Sequence, residues 1–345
     1  MKNSCFLLIF LLFQIQCAFS QCGPIISTFP YFEDFELNDG GWVSGGTGND
    51  WARGIPAKTF INNAGSGGKC WVTGGLSGSF YTNGQRSYVL SPCFNFSSLT
   101  RPVISLKIYW ESENNYDGAC LQYSLNNGAT WVTVGNAFDA ASCLNQNWYN
   151  HANILNLNTL ANPKDGWAGT VLPSSGSCQG GNGSNGWVLA KRCIQNLAGE
   201  PQVRFRICFG AGTACNAFDG FAFDAVQIEE GTPVTANFAF TCTNTLNEYV
   251  FANLSSPCPN NFVWNFGDPS SGSNNGSGQL NPSHTFTTNG TYVVTLTASD
   301  GCGSTASIQK TISTVSMSAT ATNALCANSS SASISANATG GTTPF

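Results

Sequence analysis

Charge is scarce in this sequence of 345 residues: 9% are Asp, Glu, Lys or Arg, against roughly 25% in an ordinary soluble domain. No Lys/Arg cluster exists, so nucleic acid and anionic membrane are not expected partners. Histidine is nearly missing too, with only His151 and His284. Neither H-E-x-x-H nor G-x-S-x-G occurs, and the fifteen cysteines include no C-x-x-C. The usual signatures of zinc peptidases, serine hydrolases and cysteine-rich metal sites are therefore absent. No window has a helical period, and 38 glycines argue against one. After the N-terminus no apolar run is long enough to cross a bilayer.

What is present points to export. Lys2 precedes an apolar run from Phe6 to Phe13, and Ala18-Phe19-Ser20 sets small residues where signal peptidase reads, which predicts a signal peptide over 1–20 with cleavage before Gln21. Ile15-Gln16 before Cys17 lacks the small residue that lipoprotein processing requires, so the mature chain is expected to be secreted and unlipidated, with no integral membrane segment. Cleavage removes Lys2, Cys5 and Cys17, leaving a net charge of −6 and thirteen cysteines. In an oxidising compartment disulfides are the default for these. Their odd number leaves at least one thiol free or paired outside the chain.

The pattern is all-β. Ile104, Leu106, Ile108 and Trp110 share one face of a strand, and Ser105, Lys107 and Tyr109 the other. Leu121–Leu125 and Thr130–Val134 flank Asn126-Asn127-Gly128 and read as a hairpin, because Asn-Gly tolerates the positive φ of a tight turn. Val203, Phe205, Ile207 and Phe209 alternate with Gln202, Arg204, Arg206 and Cys208. Residues 21–231 are read as one large sandwich, and Gly231-Thr232-Pro233 as a linker. Asn289-Gly290 then feeds a strand in which Tyr292, Val294 and Leu296 oppose Val293, Thr295 and Thr297. A Tyr at the start of such a strand is how sandwiches anchor a corner.

Three resemblances attach to these stretches. W-N-F-G-D-P from Trp264, then N-P-S-H-T-F from Asn281 and G-T-Y-V-V-T-L from Gly290, resemble a PKD domain, an immunoglobulin-like sandwich, over 234–313. Asn265 and Pro269 depart from the family pattern and remove residues that would give its loop a ligand. In such a sandwich Cys258 and Cys302 lie in loops at the same end, so the resemblance implies that they are bonded, and Cys242 then needs another partner. D-F-E-L-N-D-G-G-W, D-W-A-R-G, V-R-F-R-I-C-F-G and D-G-F-A-F-D-A-V-Q-I resemble a MAM-like jelly roll of large secreted Bacteroidota proteins, over 21–231. Beyond Thr314, S-A-S-I and G-G-T-T-P-F resemble the start of an SprB-type repeat of gliding-motility adhesins, truncated over 314–345; the alternative is a disordered Ser/Thr linker. The expected fold is thus a jelly-roll sandwich, an immunoglobulin-like (PKD) sandwich and a partial β repeat.

Related jelly rolls imply a structural Ca²⁺ held by Glu36 and Asp224, with Asp219 a third ligand; the alternative is that these acids cap turns or pair with Arg53 or Arg204. Trp148, Tyr149, Trp167 and Trp187 lie in Gly/Asn/Ser-rich sequence and are candidates for stacking on a sugar, against burial under long loops. Trp42, Trp51, Trp71, Trp110 and Trp131 are read as core. His284 falls at a position that PKD domains use structurally, and no motif places a nucleophile near His151. Gly181-x-Gly183-x-x-Gly186 has no strand before it or helix after it and is read as a flexible loop. Glu111 and Glu113, two apart on a strand, point the same way but lack a glycosidase motif. The expectation is a non-enzymatic secreted cell-surface adhesion protein with a PKD spacer, binding an extracellular glycan or protein surface and linked to gliding motility or type IX secretion. The alternative is the accessory region of a secreted glycosidase or peptidase with its catalytic domain beyond residue 345.

Overall fold

The computed structural model describes residues 23–78, 80–170, 173–175, 177–323 and 332–340. The signal peptide, Cys17 and the last five residues of the SprB-like pattern lie outside them.

Residues 23–231 build two seven-stranded sheets. In the first, Arg86–Phe94, Val203–Gly210 and Gly118–Ser124 pair antiparallel, and Ile25–Ile26 adds a parallel edge. In the second, Pro102–Glu111 lies between Val188–Cys193 and Gly220–Glu230. The expected alternation holds: Ile104, Leu106, Ile108 and Trp110 enter the core between the sheets with Phe205, Ile207 and Phe209 from the other side. The Asn-Gly hairpin forms, with Asn127 and Gly128 at φ 54° and 93° and Gln122 opposite Thr133. Trp131 departs from the core expectation. It is half-buried on the outer surface, where the Arg206 guanidinium lies 4.3 Å from its ring centre, a cation–π contact.

A bulge interrupts Gly220–Glu230: the register shifts between Asp224 and Gln227, and Ala225 takes φ 47°. The extra residue moves the core face from odd to even positions, so Phe221 and Phe223 before it and Val226 and Ile228 after it all point inward.

The second unit packs Phe238–Cys242, Glu248–Asn253 and Ser283–Thr285 against Gly276–Ser277, Asn261–Asn265, Thr291–Ser299 and Thr305–Ser313. Tyr292, Val294 and Leu296 join Trp264, Phe266, Phe238 and Phe251 in its core. The Tyr292 hydroxyl donates to the Thr288 carbonyl at 2.6 Å, anchoring the corner as expected. Val315–Thr322 and Ser333–Gly340 form a two-stranded antiparallel ladder.

The cysteine pairing differs from expectation. Cys258 bonds Cys143 and Cys302 bonds Cys193, so both bridges run between the units and not within the second. Beside them the Arg101 guanidinium forms an ion pair with Asp300 and donates to the carbonyls of Cys302 and Gly231 at 3.1 and 2.9 Å. The Arg101 and Asp300 side chains are 9% and 1% exposed. An inter-unit partner is invisible to a single-domain template, which is why the template pairs the two loop cysteines with each other. A further bridge, Cys178–Cys215, lies inside the first unit. Among the described residues Cys70, Cys120 and Cys208 are buried thiols and Cys242 an exposed one.

Candidate functional site

The outer face of the second sheet carries the polar chemistry. Tyr109 and Glu111 point outward from Pro102–Glu111, where a loop spanning about 55–69 covers them. All three acids expected at a calcium site clasp this loop. Glu36 accepts the main-chain N–H groups of Gly68 and Lys69 at 2.8 and 2.7 Å. Asp219 accepts those of Phe60 and Ile61 at 2.5 and 2.8 Å. Asp224, turned outward by the bulge, accepts the N–H and hydroxyl of Ser66 at 2.6 and 3.1 Å. The two N–H groups hold the Glu36 carboxyl below the usual range, that of Lys69 first, whereas burial raises Asp224 to about 6.

Each carboxylate faces N–H donors, Glu36 through Oε1, Asp219 through Oδ2 and Asp224 through both oxygens, and Asp219 works at the opposite end of the loop from Glu36 and Asp224. No three of His, Cys, Asp and Glu gather for a metal among the described residues. The turn-capping alternative is the observed arrangement. Neither arginine pairs with them: Arg53 donates to the Phe35 carbonyl, and Arg204 to Ser91 and Asn127.

Three of the four aromatics expected at a sugar platform are core. Trp148, Tyr149 and Trp167 pack on one another with ring centres 4.8–5.7 Å apart, and Trp167 is 0% exposed. Their polar atoms are satisfied internally: Trp148 Nε1 donates to the Val134 carbonyl, Trp167 Nε1 to Asn147 and the Tyr149 hydroxyl to Leu121. The asparagines that mark their segment as loop are what pin that loop down over them, Asn150 exchanging two hydrogen bonds with Ala168. Trp187 stands apart. It is half-buried, donates to the Asn63 carbonyl and meets Tyr109 edge-on at 6.1 Å.

A cleft of about 470 Å³ opens on this same outer face, between Phe60, Tyr109, Glu111, Phe218 and the segment from Gly180 to Asn185. Glu111 is 4% exposed; its Oε2 accepts the Asp219 N–H at 2.5 Å, and burial raises its pKa to about 7. Burial raises Glu113 equally, to about 7, but Glu113 lies beyond the strand's last residue and does not line the cleft. The G-x-G-x-x-G segment is one wall of this cleft. It is fixed in place: Gly181 N–H donates to Ser112, Ser184 N–H to Trp110, and a Cβ on Gly183 would collide with the Trp110 ring. Tyr109, Phe60 and Phe218 escape sequence reasoning because they lie on three separated segments. The nearness of Glu111 in sequence to Tyr109 is the one local signal.

Each histidine has close protein partners. His284 stacks on Phe266 at 4.3 Å and 9° and lies 3.2 Å from Asp268 through Nε2. Burial acts to raise Asp268, but hydrogen bonds from Thr287 and His284 outweigh it and hold the carboxyl below its usual range. His151 Nδ1 lies 2.7 Å from the carbonyl of Ala152.

The family profile described as the PKD domain matches residues 223–315. The second unit, which lies within this range, is a PKD domain. Bacillopeptidase F of Bacillus subtilis (strain 168) is 40% identical over 65 residues, 19% of this chain; the match takes in only 4% of that protein. The PKD1 domain of Vibrio anguillarum Epp is 26% identical, over 25% of this chain and 96% of its own, with a TM-score of 0.22. The K1 cleaved adhesin domain of Lys-gingipain from Porphyromonas gingivalis W83 is 15% identical, over 59% of this chain and all of its own, with a TM-score of 0.31.

Proposed function

We propose that this chain is a non-enzymatic secreted cell-surface binding protein, in which the first sandwich presents the binding surface and the PKD domain holds it at a distance. The junction supports this reading most directly. Cys143–Cys258, Cys193–Cys302 and the buried Arg101–Asp300 pair fasten the two units together, as a spacer that must fix the position of its neighbour requires. In this reading the first sandwich is the MAM-like module, residues 314–345 begin an SprB-type repeat, and the protein acts in gliding motility or type IX export. The 40% identity to a protein named as a peptidase favours a second reading, the accessory region of a secreted hydrolase with its catalytic domain beyond residue 345.

Beads coated with the mature chain test the first reading. They are expected to adhere to surfaces bearing extracellular glycan or protein, and beads that adhere to none overturn it. Sequence encoding a catalytic fold after Phe345, in place of further repeats and a sorting domain, would decide for the second.

A further inference from the structure

We propose that the cleft beside Phe60 binds a neutral saccharide, one sugar face against Phe60 and its hydroxyls on Glu111, Asn182 and Asn185. This rests on the reading of the chain as a binding protein and gives that binding a place and a chemical class.

The lining selects the ligand. Three aromatic rings, Phe60, Tyr109 and Phe218, meet two asparagines and one carboxyl group there, and among the described residues no Lys or Arg lines the cleft. An anionic ligand would find no cationic side chain in this lining. The nearest buried ammonium, Lys58, is occupied by the carbonyls of Thr73 and Asp219 at 2.7 and 2.8 Å. A sugar supplies what the site can use: hydroxyls that pair either way with a carboxyl group or an amide, and an apolar C–H face for a ring. Phe60 is 52% exposed although it lies at this mouth, while Tyr109 and Phe218 form the floor and side. Glu111 Oε2 is taken by Asp219, but Oε1 lies against Gly181, within 2.8 Å of where a Cβ would stand, and accepts no hydrogen bond among the described residues. The volume falls in the range of small-molecule sites, about 300–1,000 Å³.

The walls are built before any ligand arrives. Cys178–Cys215 ties the segment before Gly180–Asn185 to the one before Ala217-Phe218, so a disulfide staples two sides of the cleft together. The clasp of Asp219 on Phe60 N–H fixes the third. Rigid walls lose little freedom when a ligand binds.

A glycan array probed with the mature chain tests this, printed with neutral oligosaccharides ending in glucose, galactose, mannose or N-acetylglucosamine beside sialylated and sulfated ones. Binding is expected on neutral members, and Phe60→Ala or Asn182→Ala should weaken it about tenfold. Phe138→Ala, which removes an exposed ring outside the cleft, should leave it unchanged. A preference for the anionic glycans, no binding of any neutral glycan, or full binding by both cleft variants would overturn the proposal. If coated beads adhere while the array stays blank, the saccharide site falls and the adhesion reading stands; if neither binds, both fall.

Discussion

Arg101→Ala is the perturbation that most directly tests how the two units are joined. It strands the Asp300 carboxylate, whose side chain is 1% exposed, and deprives the Cys302 and Gly231 carbonyls of a donor. Breaking one partner of a buried ion pair costs about 3–5 kcal/mol. The lower end applies here, because Asp300 Oδ1 keeps the N–H groups of Cys302 and Ser304 at 2.7 and 3.1 Å. At roughly 2–4 °C per kcal/mol for a body of this size, a loss of about 3 kcal/mol should lower Tm by about 6–12 °C in scanning calorimetry. Asp300→Asn should fall in the same direction. The double variant Arg101→Met/Asp300→Leu, with no charge left unpaired, should recover much of the loss. If Arg101→Ala melts within about a degree of wild type, the pair is solvated and the reasoning about a fused junction fails.

Other contacts set further expected outcomes. Peptide mapping without reductant should yield Cys143–Cys258 and Cys193–Cys302 peptides, and a Cys258–Cys302 peptide would refute the junction. Cys242 should alkylate in the native state, whereas Cys70, Cys120 and Cys208 should react only after unfolding. Folded Glu111 keeps its proton up to about pH 7, while the unfolded chain releases it near the ordinary 4.5, so stability should fall as pH rises through that window. Glu111→Gln, which keeps an acceptor for Asp219, should flatten the fall and raise Tm at pH 8 but not at pH 4; an unchanged slope would exclude Glu111 as its source. Trp148→Ala should cost about 3–5 kcal/mol as a core deletion, measured by denaturant melts, where an exposed platform would lose almost nothing. EGTA should leave Tm unmoved, because main-chain N–H groups occupy Glu36, Asp219 and Asp224; a drop of several degrees would restore calcium.

Much of the fold was readable because it is local. The period of two in Ile104–Trp110, the Asn127-Gly128 turn and the Tyr292 corner each depend on neighbours in sequence, and each formed as the pattern required. What failed was non-local. The Trp148–Trp167 cluster is core because an asparagine-pinned loop folds over it, and nothing in the loop's composition distinguishes that from exposure. The three acids were singled out as calcium ligands; they do reach one loop, but whether a carboxylate meets a cation or an N–H depends on the path of residues 58–69. Cysteine pairing depended on how two domains dock, to which neither domain's own motif refers. The bulge at Ala225, which aims Asp224, leaves no mark beyond one Ala in a strand of aromatics.

The Cys193–Cys302 bridge has a mechanical meaning for a chain pulled from its C-terminal side. Tension entering at Cys302 crosses one sulfur–sulfur bond to Cys193 and bypasses the chain between them, a sequence separation of 109. That hidden length, about 370 Å when fully drawn out, includes the Trp264 strand, the Tyr292 corner and the 231–233 connection. Only the Thr305–Ser313 strand and the residues C-terminal to it remain open to peeling. Under load the spacer would keep its length until both this bond and Cys143–Cys258 are reduced, and the reach of the first sandwich would be set by covalent chemistry and not by the strength of the PKD core.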